Sequence, residues 1–277
     1  MRQRLHRALE ITGLTDAGCS RTTNEDCITW SSKLGLAILT DGMGGAKAGD
    51  VAGQVAAETV LKEVREGIDA LPSGLEAVDH AENHNRASLI LSNALHKANS
   101  LILRIAQEQL ECSGMGATTT AVLFYDNKLS VCHVGDSRLY LLRDGSLQQI
   151  TEDHTVIQEL IKGGLYTKEQ AEESINKNIV TRAVGVSGDL KVEILEQHTL
   201  PGDLYLICSD GLTDLVSDAE IQQLLGINND LARTAESLVD IAKNHGGNDN
   251  ISVILIRVLK PYPARGNFRQ RIIGWFS

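Results

Sequence analysis

Proline, cysteine and positive charge are all in short supply in this 277-residue chain. With only four prolines and no Pro-rich linker before Pro261 and Pro263, a single domain is expected from about residue 8 to 259, followed by a tail. The five cysteines are odd in number and never spaced as CxxC. That excludes a disulfide framework and a Cys-built zinc site, and reads as free thiols in a reducing compartment. No apolar run approaches the roughly 18 residues that cross a bilayer, and the start MRQRLHRALE has no apolar signal core. A cytoplasmic protein is expected. The formal charge is −10, against the clustered cations that a nucleic-acid binder uses to neutralise phosphates. Cations gather only at the ends, at Arg2, Arg4 and Arg7 and again at Arg257, Lys260, Arg265, Arg269 and Arg271, so the body between them is strongly acidic.

What is present is a foldable mixture, 42% apolar and 22% charged. Runs with buried-strand character lie at 34–40, 117–125, 128–134, 137–143, 203–208 and 251–259. Asp126-Asn127 and Asp144-Gly145 punctuate them as tight turns, which implies antiparallel pairing. Leu91, Leu95, Ala98, Ile102 and Ile105 recur at helical spacing, as do Leu231, Ala235, Leu238 and Ala242, with Gly246 as a stop. Residues 46–66 read as an Ala- and Val-rich helix, and Ser217-Asp218-Ala219-Glu220 as a capping box. Strand groups and helix groups segregate along the chain, the pattern of an α+β layered fold.

The aspartates fall in a telling place. Asp41, Asp136 and Asp210 each end an apolar run, Asp249 precedes one, and each sits beside Gly, Asn or Ser. A single acid there makes a turn. Several converging acids need a cation, and small carboxylates with a close backbone carbonyl suit Mg²⁺ or Mn²⁺. Gly42, Gly44 and Gly45 let the backbone approach such an ion. Arg21, followed by Glu25 and Asp26, offers a rigid fork for a phosphate.

These segments occur in a fixed order: Gly18-x-x-Arg21-x-x-Asn24-Glu25-Asp26, Asp41-Gly42-Met43-Gly44-Gly45, Met115-Gly116-Ala117-Thr118-Thr119, Gly135-Asp136-Ser137-Arg138, Thr151-x-Asp153-His154, Thr181-Arg182-Ala183-Val184-Gly185, Ser209-Asp210-Gly211 and Gly247-x-Asp249-Asn250. Together they resemble the metal-dependent (type 2C, PPM) serine/threonine protein phosphatases of bacterial type, over roughly residues 12–257. The resemblance implies a four-layer α-β-β-α sandwich with two antiparallel sheets flanked by helix pairs. It implies two Mg²⁺ or Mn²⁺ ions held by Asp41, the Gly42 carbonyl, Asp210 and Asp249, with Asp136 holding a third. It implies Arg21 on the substrate phosphate, Glu25 and Asp26 acting through water, and phosphorylated proteins made by a cognate Ser/Thr kinase as substrates.

In that scheme the ions ready a water to attack phosphorus in line, with no phosphoenzyme, so Cys208 stays out of the chemistry. Relatives from eukaryotes carry a histidine, proposed as general acid, at the position of Met43, which has no proton to give. A water is the favoured donor. His154, followed by Thr155, is the local alternative but reads better as a structural residue at the base of a flap over about 155–178. The Phe268–Phe276 stretch mixes cations and large apolar groups, suited to a membrane surface or a partner groove. Two rival readings are a phosphoprotein-binding pseudoenzyme, against which stand the retained acids, and a two-metal nuclease, against which stands the acidic body.

Overall fold

The computed structural model describes residues 5–44, 48–71, 75, 78–79, 84–167, 170, 179–227 and 229–263. In chain order these form β1 (Leu9–Asp16), β2 (Asp26–Ser31), β3 (Leu36–Met43), α1 (Ala48–Asp69), a ribbon of β4 (Val78–Asp79) and β5 (His84–Asn85), and α2 (Arg86–Glu108). Then come β6 (Gly116–Tyr125), β7 (Lys128–Val134), β8 (Arg138–Arg143), β9 (Ser146–Gln149), α3 (Val156–Lys162), β10 (Glu193–His198) and β11 (Leu204–Cys208). A single-turn α4 (Asp210–Thr213), α5 (Asp218–Ile227), α6 (Leu231–Asn244) and β12 (Ile251–Val258) complete the described chain.

Strand alternation builds the layers. One antiparallel sheet has the order β10-β7-β6-β3-β2 and the other β1-β12-β11-β8-β9. On β6, Ala121, Leu123 and Tyr125 pack with Val60, Leu91 and Leu95 under the helices α1 and α2. Val122 and Phe124, the alternate residues, face Tyr205, Ile207, Ile254 and Ile256 of the opposing sheet. On β12, Val253 and Leu255 point the other way, onto Ile221, Leu238 and Ala242 of α5 and α6. Both central strands are therefore buried on two faces, which is why they read as unbroken apolar runs. Each fully buried Leu or Ile contributes about 1.5–3 kcal/mol. The fold is the α-β-β-α sandwich that the resemblance implies.

The turn and cap signals find their structures. Asp126 and Asn127 take φ of 43° and 55°, and Asp144 and Gly145 take 52° and 79°, the left-handed pairs of tight hairpins. The Ser217 hydroxyl accepts from the Glu220 amide while Glu220 Oε2 accepts from the Ser217 amide at 3.0 Å. The expected strand 34–40 begins later and runs on to Met43, because Gly35 (φ 73°) closes the preceding turn. Asp41 thus lies within a strand. Gly45, the start of the 46–66 helix, most of the expected flap beyond Thr167 and the tail from 264 lie outside the described residues. Packing continues past 259: buried Tyr262 meets the Phe124 ring edge-on at 6.4 Å, and its amide donates to Asn127 Oδ1 at 2.6 Å.

Candidate metal centre

Five aspartates reach one end of the inter-sheet space from separate elements. Asp41 lies on β3, and Asp26 opens β2 directly opposite it. Asp210 opens α4 where the chain leaves β11. Asp249 comes two residues before β12, which pairs with β11. Asp136 sits in the turn between β7 and β8 and is 5% exposed.

Their mutual influence shows the convergence. Burial drives the Asp41 carboxyl well above the usual carboxylate range, and Asp26, Asp210, Asp136 and Asp249 push it the same way. Asp210 is raised well above that range by burial, then by Asp136, a further acid, Asp214, then Asp249 and Asp26. Burial first, and then Asp153 and Asp214, push Asp136 up to about 7. Asp26 is pushed up to about 6 by burial, despite hydrogen bonds from Ser252 and Ser209. Ser209 Oγ donates to Asp26 Oδ2 at 2.9 Å, while buried Asp26 Oδ1 has no hydrogen-bond donor. Converging buried acids with an orphaned carboxylate oxygen are costly alone and become favourable around hard dications. The donor set fits Mg²⁺ or Mn²⁺.

Glycines allow the close approach. A Cβ on Gly42 would lie 2.0 Å from the Gly49 carbonyl oxygen and 2.7 Å from that of Glu25. The Gly42 amide donates to Glu25 O at 3.1 Å. These contacts bring the end of β3, the start of α1 and the Arg21–Asp26 segment together. Arg21 Nη2 donates to Asp249 Oδ2 at 2.9 Å, with the guanidinium still half exposed at the rim. Burial raises the Glu25 carboxyl.

Asn250 ties that segment down. Its Oδ1 accepts from the Glu25 amide at 2.8 Å, and its Nδ2 donates to the carbonyls of Ala17 and Thr23 at 3.1 and 3.0 Å.

His154 lies behind the acids. Its ring stacks on His133 with centroids 4.8 Å apart. Nδ1 accepts from the Gly135 amide at 3.0 Å, so in the neutral ring the proton sits on Nε2, 3.9 Å from Glu193 Oε2. Burial, His133 and Arg182 lower its pKa to about 3. His133, His154 and Glu193 bring potential ligand atoms within 4.8 Å of one another, a grouping that linear spacing hid. The protonated Nε2 of His154 leaves that trio no open nitrogen there, so it is a hydrogen-bonded support. Thr155 caps α3, its Oγ1 accepting from the Gln158 amide at 3.3 Å.

A family model described as Protein phosphatase 2C matches residues 20–253. The chain belongs to that family. It is 34% identical over 245 residues to the serine/threonine phosphatase stp of Listeria innocua, covering 87% of this chain and 93% of the relative. It is 36% identical over 258 residues to the serine/threonine protein phosphatase PstP of Mycobacterium tuberculosis, covering 92% of this chain but 46% of that one. The crystal structure of M. tuberculosis PstP/Ppp superposes with a TM-score of 0.80 at 35% identity, over 91% of this chain and 99% of that one. A PstP catalytic domain solved with two manganese ions gives 0.77 at 35% identity, over the same shares of the two chains.

Within this phosphatase 2C domain, sequence reading overlooked Asp214 and the anchoring role of Asn250. Asp214 sits one turn beyond Asp210, its amide donating to the Asp210 carbonyl at 2.8 Å. The spacing of four was the available signal. Cys208 points the other way from Ser209, into the layer under α5 and α6, and burial pushes its thiol up to about 12. A buried thiol of that kind is no nucleophile.

Proposed function

We propose that this phosphatase 2C chain hydrolyses phosphoserine and phosphothreonine esters in proteins, using divalent cations held by Asp41, the Gly42 carbonyl, Asp210 and Asp249. The convergence of aspartates from both sheets, Asp26 and Asp136 buried and Asp41, Asp210 and Asp249 half-buried, with Arg21 at the rim, carries the reading. Bound dications of this kind supply a water of lowered pKa that attacks phosphorus near neutral pH. Arg21 presents its guanidinium fork to two phosphate oxygens and offsets the charge that grows on them. In the described arrangement that fork is engaged by Asp249, so phosphate binding exchanges one anion for another. Glu25 and Asp26 act through water, and Asp26 is held for that role by Ser209.

Asp136 and Asp214 form the place for a third, weaker ion beside Asp210. Met43 has no proton to give the leaving oxygen, and neutral His154 keeps its own on Nε2. Solvent protonates that oxygen. His154 and Thr155 serve the base of the flap, positioning Gly135 next to Asp136 and capping α3. The substrates are products of Ser/Thr kinases, and the five free thiols suit a cytoplasmic setting. Among the described residues no helix is long and apolar enough to cross a membrane. The basic, apolar tail at 264–277 suits a membrane or partner contact.

The test is hydrolysis of p-nitrophenyl phosphate and of a phosphothreonine peptide with EDTA, then with added Mn²⁺ or Mg²⁺. Activity lost in EDTA and restored by the ion is expected. Undiminished activity in excess chelator would refute the centre.

A further inference from the structure

Val186 is 58% exposed, yet the backbone on either side of it is firmly held. The Ala117 and Val184 amides and carbonyls exchange two 2.9 Å hydrogen bonds. Buried Asn99, 3% exposed, reaches up from α2 and accepts from the Gly185 amide at 2.7 Å while donating to the Ser187 carbonyl at 2.8 Å. Gly185 makes the turn at φ 92°, and Ile102 Cγ2 would lie 2.2 Å from a Cβ there. A buried amide side chain spent on holding one exposed valine is an unusual use of a helix position whose neighbours are apolar.

The valine leans toward the site. Gly116 pairs with Met43 at the end of β3 and β6. A Cβ on Gly116 would lie 2.7 Å from Val186 Cγ2 and 3.7 Å from Met43 Cγ. Val186 and Met43 therefore close over the same glycine. Met43 is two residues from Asp41 on the same strand, so both side chains project from one face, about 6.6 Å apart along it. An apolar ledge thus borders a centre that is otherwise acidic. An extended peptide rises about 3.3 Å per residue, so a substrate whose phosphate sits at Asp41 and Arg21 brings a side chain one or two positions away onto Val186 and Met43.

We propose that Val186, with Met43, is a specificity-determining contact that selects phosphopeptides with an aliphatic side chain within two positions of the phosphorylated residue. The proposal rests on the phosphatase reading above and adds to it which phosphoproteins are preferred. Burying one leucine against such a ledge is worth on the order of tenfold in kcat/KM.

The experiment uses the full chain with Mn²⁺ and five phosphothreonine peptides. One has glycine at all of −2, −1, +1 and +2, and each of the others has leucine at one of those positions. Wild type is expected to favour at least one leucine peptide over the glycine peptide by about tenfold. Val186→Ser and Val186→Asp should bring that ratio close to one, and Val186→Ile should keep it. Thermal melts of the variants check that the fold is retained. Equal kcat/KM on all five peptides, or a preference that survives both polar substitutions, would overturn the ledge alone. A wild-type chain that cleaves no phosphopeptide, with or without the ion, would overturn the phosphatase reading and the ledge with it.

Discussion

Asp26 and Asp41 stand directly opposite each other across the β2–β3 pair, two carboxylates facing in a buried place. Burial and the Asp26 charge lift the Asp41 pKa, and a shared proton or a shared cation relieves the repulsion. Asp41→Asn and Asp210→Asn should lower phosphopeptide turnover by more than about a hundredfold, with manganese affinity lost in a calorimetric titration. Asp26→Asn should weaken ion affinity by about 10- to 100-fold, as for a residue that orients ligands. Activity surviving at Asp41→Asn would remove it from the centre.

Burial of the acids predicts a pH dependence in chelator. Asp26 is pushed up to about 6 and Asp136 to about 7, against 3.8 for an ordinary aspartate. Between roughly pH 4 and 7 the folded chain then holds more protons than the unfolded one, so stability falls as pH rises through that window. In EDTA, Asp136→Asn should melt above wild type by a margin that grows from pH 5 to pH 7.5. Mn²⁺ at pH 7.5 should reverse the order. A margin independent of pH would show that Asp136 titrates normally.

Arg21→Ala should raise KM for phosphopeptides by about tenfold or more, the loss of a charge-assisted hydrogen bond of about 1.5–3 kcal/mol. Arg21→Lys should recover part of it, since a point charge replaces the fork. Unchanged steady-state constants would place Arg21 outside the site.

Asn250→Ala removes three hydrogen bonds and leaves the Glu25 amide and two carbonyls without partners. A loss of about 2–4 kcal/mol is expected in denaturant unfolding. Activity should fall more steeply than a purely structural lesion explains, because Arg21 and Glu25 ride on the segment it anchors. Full activity in the folded variant would separate anchor from site.

Tyr262 fills the inter-sheet core from beyond the expected domain boundary. Tyr262→Ala should cost about 3–5 kcal/mol, read as a shift of the unfolding midpoint. Liposome flotation of the tail therefore calls for truncation after residue 263, not 259. A Tyr262→Ala variant that melts like wild type would contradict the packing.

The central strands were legible because both of their faces are buried, as Leu36–Leu39 and Ala117–Tyr125 show. Edge strands were not. β10 reads EILEQH and β1 reads LEITGLTD, half-solvated sequences whose polar residues mask the alternation. The order of motifs revealed the acids, but no spacing along the chain says that residues 26 and 41 face each other, that Asn250 reaches back to Ala17, or that Asn99 holds the Val186 loop. Those relations belong to the sheet register and helix packing. The hydrogen bond from Gly135 that fixes the His154 tautomer is of the same kind.

Sheet order has a consequence for biosynthesis. β12 lies between β1 and β11, so the first of the described strands has no sheet partner until the last of them emerges. Asp249 and Asn250 arrive with that latest strand. A ribosome-bound chain short of residue 249 therefore lacks one acid, the anchor of Arg21 and Glu25, and an interior strand of a sheet. The five aspartates come together only once β12 has slotted into place.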